Sequence, residues 1–209
     1  MLEAERRDLV RYARRLHGDR LTTSTSGNLS ARSGDLVAIT PSAVDYDELT
    51  PETIGVHRLD GSPVDAPLTP STEFPFHLAI YESTDASAIV HTHPLHATVL
   101  STLVDELPPI HYLLALFGGP PRTAPYATFG SDELASSITT ALKDRSAVLL
   151  ANHGAITTGA TLKDAYTKAL YLEWICELVV KATLLGTPRL LPSDELDLVA
   201  ERLTRYRRR

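Results

Sequence analysis

Sulfur is scarce in this chain: 209 residues hold one cysteine and one methionine. A single Cys176 excludes an internal disulfide framework and makes a reducing, cytoplasmic setting the expectation. Cys176 stands beside Trp174 and Ile175 in a helical pattern and reads as a small core residue. Long apolar runs are also missing. None approaches the roughly 18–20 residues that span a bilayer, and Met1 to Asp8 are charged where a secretory leader would be apolar. A membrane partner is therefore not expected. Nor is there an excess of positive charge: 20 Lys and Arg face 26 Asp and Glu, a formal net charge of −6. That balance argues against nucleic acid as a partner. The local exception, Arg205-Tyr206-Arg207-Arg208-Arg209, suits the negative end of a final helix dipole or helps to hold an anionic substrate.

What is present is ordinary for a globular protein: 43% hydrophobic and 22% charged residues, with no linker, repeat or low-complexity segment. One domain over residues 1–209 is expected. Leu2, Leu9, Val10, Ala13 and Leu16 outline a first helix stopped by Gly18. Leu29–Arg32 and Leu36–Thr40 read as a hairpin around Ser33-Gly34-Asp35. A Pro-rich loop from Pro63 to Pro70 leads to Ser71 or Thr72 as the cap of a helix carrying Glu73, Phe76, His77, Ile80 and Tyr81. Further helices are predicted from about Leu95 to Leu103, Ser131 to Lys143, Thr161 to Leu185 and Ser193 onward, with a buried strand over Ala147–Ala151. The fold class is α/β: one domain with a central, mostly antiparallel (mixed) β-sheet flanked by α-helices.

The densest chemical signal is Ala88-Ile89-Val90-His91-Thr92-His93-Pro94. Side chains two apart on a strand share a face, about 6–7 Å apart along the backbone, so His91 and His93 can close on one ion. By itself the pair fits either a metal site or two structural histidines. More ligands must come from elsewhere. Glu73 follows the Pro-rich loop one turn into a helix, and reads equally as an exposed helix acid. His153 follows five apolar residues at the mouth of the core, and reads equally as a loop histidine. His17, His57, His77, His96 and His111 compete: His17 suits the dipole at a helix end, His57 and His77 read as structural, and His96, beyond Pro94, reads as a group behind the site or on the surface.

Thr25-Ser26-Gly27-Asn28-Leu29-Ser30, Ile39-Thr40-Pro41-Ser42, Pro70-Ser71-Thr72-Glu73, His91-Thr92-His93, Ile110-His111-Tyr112, Ala124–Gly130 and Asn152-His153-Gly154, taken in order, resemble the class II aldolase/adducin family, and within it the branch acting on fuculose phosphate. The resemblance runs from the first helix almost to the C-terminus. It implies a zinc ion held by His91, His93, His153 and Glu73, with Glu73 also the general base. It implies reversible cleavage of a ketose 1-phosphate, L-fuculose 1-phosphate or a related deoxy sugar, to dihydroxyacetone phosphate and a small aldehyde such as lactaldehyde. Zinc would act there as a Lewis acid on the developing enediolate. Tyr112, reaching in from a neighbouring subunit, would handle the proton on the aldehyde-forming oxygen, with Phe129 and Tyr206 shaping the aldehyde end. Read without the resemblance, Tyr112 is a core or interface tyrosine.

The same resemblance implies a phosphate site built from Thr25, Gly27, Asn28, Ser42, Ala43, Ser71 and Thr72, and a homotetramer with active sites at subunit interfaces. The chain departs from the family pattern at Ala43, where glycine is usual, and at Thr72, where serine is usual; Ala disfavours positive φ. Within the family, a pentulose-phosphate 4-epimerase or a methylthioribulose-phosphate dehydratase is the rival activity. Outside enzymes, the rival is a metal-free interaction module like the adducin head, which predicts a broken ligand set.

Overall fold

The computed structural model describes residues 1–207, so Arg208 and Arg209 of the arginine tail lie outside the described residues. Helices α1 (Glu3–Ala13) and α2 (Arg15–Gly18) precede the hairpin of β1 (Asn28–Ser33) and β2 (Leu36–Ile39). Strands β3 (Gly55–Arg58) and β4 (Pro63–Asp65) follow, then α3 (Phe74–Ser83), β5 (Ala88–Thr92) and α4 (Leu95–Ser101). After a 3₁₀ turn over Tyr112–Phe117 come β6 (Arg122–Ala124), α5 (Asp132–Ala141), β7 (Ala147–Leu150) and β8 (Gly154–Gly159). Helices α6 (Leu162–Leu185) and α7 (Ser193–Arg207) complete the described chain.

The eight strands form one sheet in the order β4-β3-β2-β1-β5-β8-β7-β6. Among the described residues only the β6–β7 pair is parallel; the others are antiparallel, as the hairpin signals predict. Strand β5 lies between β1 and β8, with Asn28 and Ile156 both opposite His91. It is buried on both faces, which is why Ala88-Ile89-Val90 reads as a continuous apolar run. Ala88 and Val90 pack with Leu9 and Ala13 of α1 and Ala165 and Ala169 of α6. Ile89 packs the other way, with Phe76 and Ile80 of α3 and Leu134 and Ile138 of α5. A third cluster joins α4, α6 and α7 through Leu100, Leu172, Ile175, Val179 and Leu196, with Cys176 fully buried among them. Its α6 members recur every three or four residues, one stripe of a helix.

The predicted helix starts hold at two caps. Ser131 Oγ accepts from Leu134 N at 3.2 Å, and Thr161 Oγ1 accepts from Asp164 N at 3.1 Å. Three strands escape sequence reading. Strand β8 has a glycine at each end and one large apolar residue, Ile156, so its β conformation comes from pairing with β5 and β7 on either side. Strand β4 falls inside the Pro-rich loop, at the sheet edge where Pro63 is tolerated, and β6 spans three residues. Among the described residues no helix is long and apolar enough to cross a membrane.

Candidate metal centre

Three separate pieces of chain meet at the end of β5. His91, on the Ile89 face, is fully buried, with its ring edge-on to Phe76 at 5.4 Å between centroids. His93 lies just past the strand, its N–H donating to Leu21 O at 3.0 Å. His153 occupies the turn from β7 to β8, where its N–H donates to Leu150 O at 3.0 Å. That turn is made by Asn152 at φ 57°, a left-handed conformation that asparagine adopts more readily than most residues. Two glycines let neighbouring backbone close in. A Cβ on Gly27, at φ 87°, would stand 2.7 Å from His91 O, and one on Gly154 would collide with Thr92 O.

Glu73 departs from expectation in one respect: it is the N-cap of α3, not a residue one turn inside it. Ser71 Oγ accepts from Glu73 N at 3.3 Å, so the serine orders the approach to the helix as a turn residue and does not cap it. Placed there, Glu73 is buried at 7% exposure instead of projecting into water. Its Oε2 stands 3.1 Å from His91 Nε2 and its Oε1 stands 3.3 Å from His153 Nε2. His93 Nε2 faces His91 Nε2 at 2.9 Å. The three imidazole centroids are 4.7, 4.9 and 4.8 Å apart.

Ring tautomers show what such a group accommodates. Ala155 O, 3.0 Å from His91 Nδ1, can only accept, so Nδ1 carries the hydrogen. In the neutral ring the lone pair then sits on Nε2, which faces a carboxylate oxygen and another ring nitrogen. Glu73 Oε1 is buried and makes no hydrogen bond among the described residues; the 3.3 Å approach of His153 is an ion-pair contact without hydrogen-bond alignment. Lone pairs converging on one point repel each other unless a cation lies among them. All four ligand atoms fall within 4.8 Å of one another. Tetrahedral bonds of about 2.0–2.1 Å require separations of about 3.3 Å. The donor set fits a divalent metal, and three imidazoles with one carboxylate suit zinc.

Burial would push the Glu73 carboxyl up, but the neighbouring His91 and His153 imidazoles together outweigh it and hold Glu73 well below the usual carboxylate range. Burial first, and then the neighbouring His91 and His153, depress His93 to about 3. Both groups are thus in their ligating forms at neutral pH, the carboxylate charged and the imidazole free of an extra proton.

A cavity of about 390 Å³ opens beside this group, with Glu73, His93 and His153 in its wall. The structure brings every sequence-predicted phosphate residue to the same wall: Thr25, Gly27, Asn28, Ser42, Ala43, Ser71 and Thr72. Ala43 takes φ 57°, so the loop makes a left-handed turn on an alanine. One amide hydrogen of Asn28 is committed to Glu73 Oε2 at 2.8 Å. Phe129 lines the cavity, and so do Ser26, Tyr126 and Asn152, which sequence reading does not single out. Tyr126 follows Pro125 within a motif already quoted, and its 63% exposure beside a cavity is visible only in three dimensions.

Tyr112 and Tyr206 are not part of this wall within one chain; Tyr112 is half-exposed in the 3₁₀ turn and Tyr206 is exposed on α7. The competing histidines His17, His57, His96 and His111 have other partners. His96 pairs with Glu173 at 2.7 Å, and His17 Nε2 meets Ser24 O at 2.6 Å. His57 is buried against Phe74, and His111 Nδ1 accepts from Leu113 N.

Comparison with known proteins agrees with this geometry. A sequence profile described as Class II Aldolase and Adducin N-terminal domain matches residues 7–180. The chain is 38% identical over 209 residues to 5-deoxy-D-ribulose 1-phosphate aldolase of Bacillus thuringiensis serovar kurstaki, covering 99% of this chain and 98% of that protein. It is 39% identical to the 5-methylthioribulose-1-phosphate/5-deoxyribulose-1-phosphate aldolase of Rhodospirillum rubrum, covering 97% and 92%. A solved structure of L-fuculose 1-phosphate aldolase superposes with a TM-score of 0.94 at 37% identity, over 96% of each chain. With its fold and its sequence both matching, the chain belongs to the class II aldolase and adducin family, on its enzyme side, as a lyase.

Proposed function

We propose that the chain reversibly cleaves a ketose 1-phosphate to dihydroxyacetone phosphate and a small aldehyde, with 5-deoxyribulose 1-phosphate ahead of L-fuculose 1-phosphate as substrate. The observation that carries this is the meeting of Glu73, His91, His93 and His153 beside a cavity walled by hydroxyls and small residues. The order of substrates follows the relatives matched over nearly the whole chain, which are named for 5-deoxyribulose 1-phosphate. Zinc as the metal, a cytoplasmic setting and a homotetramer belong to the same proposal.

His91, His93 and His153, with Glu73 at rest, would hold the ion. When bound, zinc would supply Lewis-acid chemistry toward the ketose carbonyl. Thr25, Asn28, Ser42, Ser71 and Thr72 offer hydroxyl and amide donors to the phosphate, and the backbone N–H groups around Gly27 and Ala43 add to them. In cleavage, Tyr112 of a neighbouring copy, entering as its phenolate, takes the proton from the C4 hydroxyl as the C3–C4 bond breaks. The bonding electron pair goes to the C2–C3 fragment and C4 leaves as the aldehyde carbon. Glu73, protonated from water in this direction, then delivers that proton to C3, completing dihydroxyacetone phosphate, and Tyr112 releases its proton to water. In the reverse direction Glu73 removes the C3 proton. Phe129 closes the aldehyde end of the cavity, with Tyr206 of a neighbouring copy.

The experiment is a panel of ketose 1-phosphates assayed for dihydroxyacetone phosphate release, with product analysis and Glu73→Gln as control. Release of acetaldehyde from 5-deoxyribulose 1-phosphate, lost by about 100-fold or more in Glu73→Gln, is expected. An isomeric pentulose phosphate as sole product would make the enzyme an epimerase, a dehydrated sugar would make it a dehydratase, and turnover unchanged in Glu73→Gln would remove that residue from its role.

A further inference from the structure

One buried polar row runs behind Glu73, and apart from Asn28 its members take no part in the reaction described so far. Asn28 Nδ2 donates to Glu73 Oε2 at 2.8 Å, and Asn28 Oδ1 faces His77 Nε2 at 2.5 Å. His77 Nδ1 meets Ser30 Oγ at 2.7 Å, and Ser30 Oγ meets the Tyr81 hydroxyl at 2.7 Å. None of Asn28, Ser30, His77 and Tyr81 is more than 3% exposed. Two periodicities build the row. Asn28 and Ser30 are two apart on β1 and share a face, while Glu73, His77 and Tyr81 recur every four residues from the cap of α3 and lie one above the next.

The partners fix where each hydrogen lies. A carboxylate only accepts, so the Asn28 amide nitrogen faces Glu73 and its oxygen turns to His77. That oxygen also only accepts, so His77 carries its hydrogen on Nε2. In the neutral ring Nδ1 is then an acceptor, which the Ser30 hydroxyl fills, and Tyr81 donates to Ser30 Oγ. Every donor in the row points toward Glu73, an arrangement in which each bond polarises the next. A buried polar row is not needed to fill this space, because apolar side chains of like volume pack there without polar groups to satisfy.

We infer that His77 is a positioning residue for Glu73: its Nε2–H holds the Asn28 amide in the one orientation that donates to the carboxylate. Without that donor the amide is free to turn, and its oxygen then opposes a charged oxygen of Glu73. The inference rests on Glu73 acting as proposed above, and the test separates the two.

The full-length protein is compared as wild type, Glu73→Gln, His77→Phe, His77→Gln and Ser30→Ala. Nitrogen-15 NMR of the metal-free wild type reads the His77 tautomer directly. Hydrogen on Nε2 with a bare Nδ1 is expected, and hydrogen on Nδ1 overturns the inference. In steady-state kinetics, His77→Phe is expected to lower kcat about 10–100-fold with KM within about twofold. His77→Gln, whose amide nitrogen reaches the position of Nε2, restores most of that loss. Unchanged kcat in His77→Phe, or an equal loss in His77→Gln, overturns the inference. Should His77→Phe fail to fold, Ser30→Ala leaves the imidazole in place and removes its fixed partner. There a severalfold drop in kcat at constant KM supports the assignment, and no change overturns it. Full turnover in Glu73→Gln would instead sink the functional reading itself, whatever His77 does.

Discussion

Ala43 sits at φ 57°, in a region where a Cβ crowds the backbone, and it does so in the wall of the cavity. The left-handed conformation costs a non-glycine residue about 1–2 kcal/mol. Ala43→Gly relieves that strain but gives the unfolded chain more freedom, worth about 0.5–1 kcal/mol in the other direction. The substitution is therefore expected to raise stability modestly, by less than about 1.5 kcal/mol in denaturant unfolding; a clear loss would contradict the strained geometry. Histidine protonation offers a second prediction at this scale. Burial holds His77 and His93 down at about 3 in the folded protein, against about 6.5 in an unfolded chain. As pH falls through the interval between these values, the unfolded state takes up protons that the folded state refuses, so stability is lost toward acid. Glu73, held below its ordinary range, acts in the same direction at lower pH. The Tm of metal-free protein is expected to fall steadily from about pH 7 to about pH 4. A flat or rising Tm over that range would show that these groups are not held as the geometry implies.

At the scale of elements, the site depends on how tightly β1, β5 and β8 approach one another at one end of the sheet. Gly27 is the clearest contact, because a Cβ there would meet the backbone oxygen of His91 and the residue also has positive φ. Gly27→Ala is expected to destabilise the fold by about 1–3 kcal/mol and to weaken metal binding at the same time. Calorimetry and a metal titration on one preparation check both effects, and an unperturbed variant would mean the loop can back away freely. This close packing also explains what can be read from sequence. His91 and His93 are legible because a strand has a two-residue period and ends at Pro94. Their convergence with Glu73 and His153 is reached only through resemblance, since residues from the start of α3 and from the β7–β8 turn carry no local mark of their partner. Strand β8 is invisible because Gly154-Ala155-Ile156-Thr157-Thr158-Gly159 gains its conformation from neighbours on both sides. His77 reads as merely structural because its link to Glu73 runs through Asn28, 49 residues away.

At the scale of the whole molecule, the proposed roles of the two tyrosines would tie the reaction to assembly. Tyr112 and Tyr206 are exposed and lie apart from their own cavity wall, so their proposed roles need a second copy. Mixed and reassembled Glu73→Gln and Tyr112→Phe proteins are expected to recover part of the activity that each lacks alone, because some sites then combine an intact Glu73 with an intact Tyr112. No recovery, in oligomers shown to have exchanged subunits, would place Tyr112 outside the reaction. The central claim, however, concerns the meeting of Glu73, His91, His93 and His153 within 4.8 Å. Its most direct measurement is elemental analysis of protein purified without chelator, wild type beside His91→Ala. About one equivalent of a divalent metal per wild-type chain is predicted, nearly all of it lost in His91→Ala, together with activity. Wild-type protein that cleaves its substrate with less than about 0.2 equivalents of metal per chain, and takes up none when metal is added, would contradict the account.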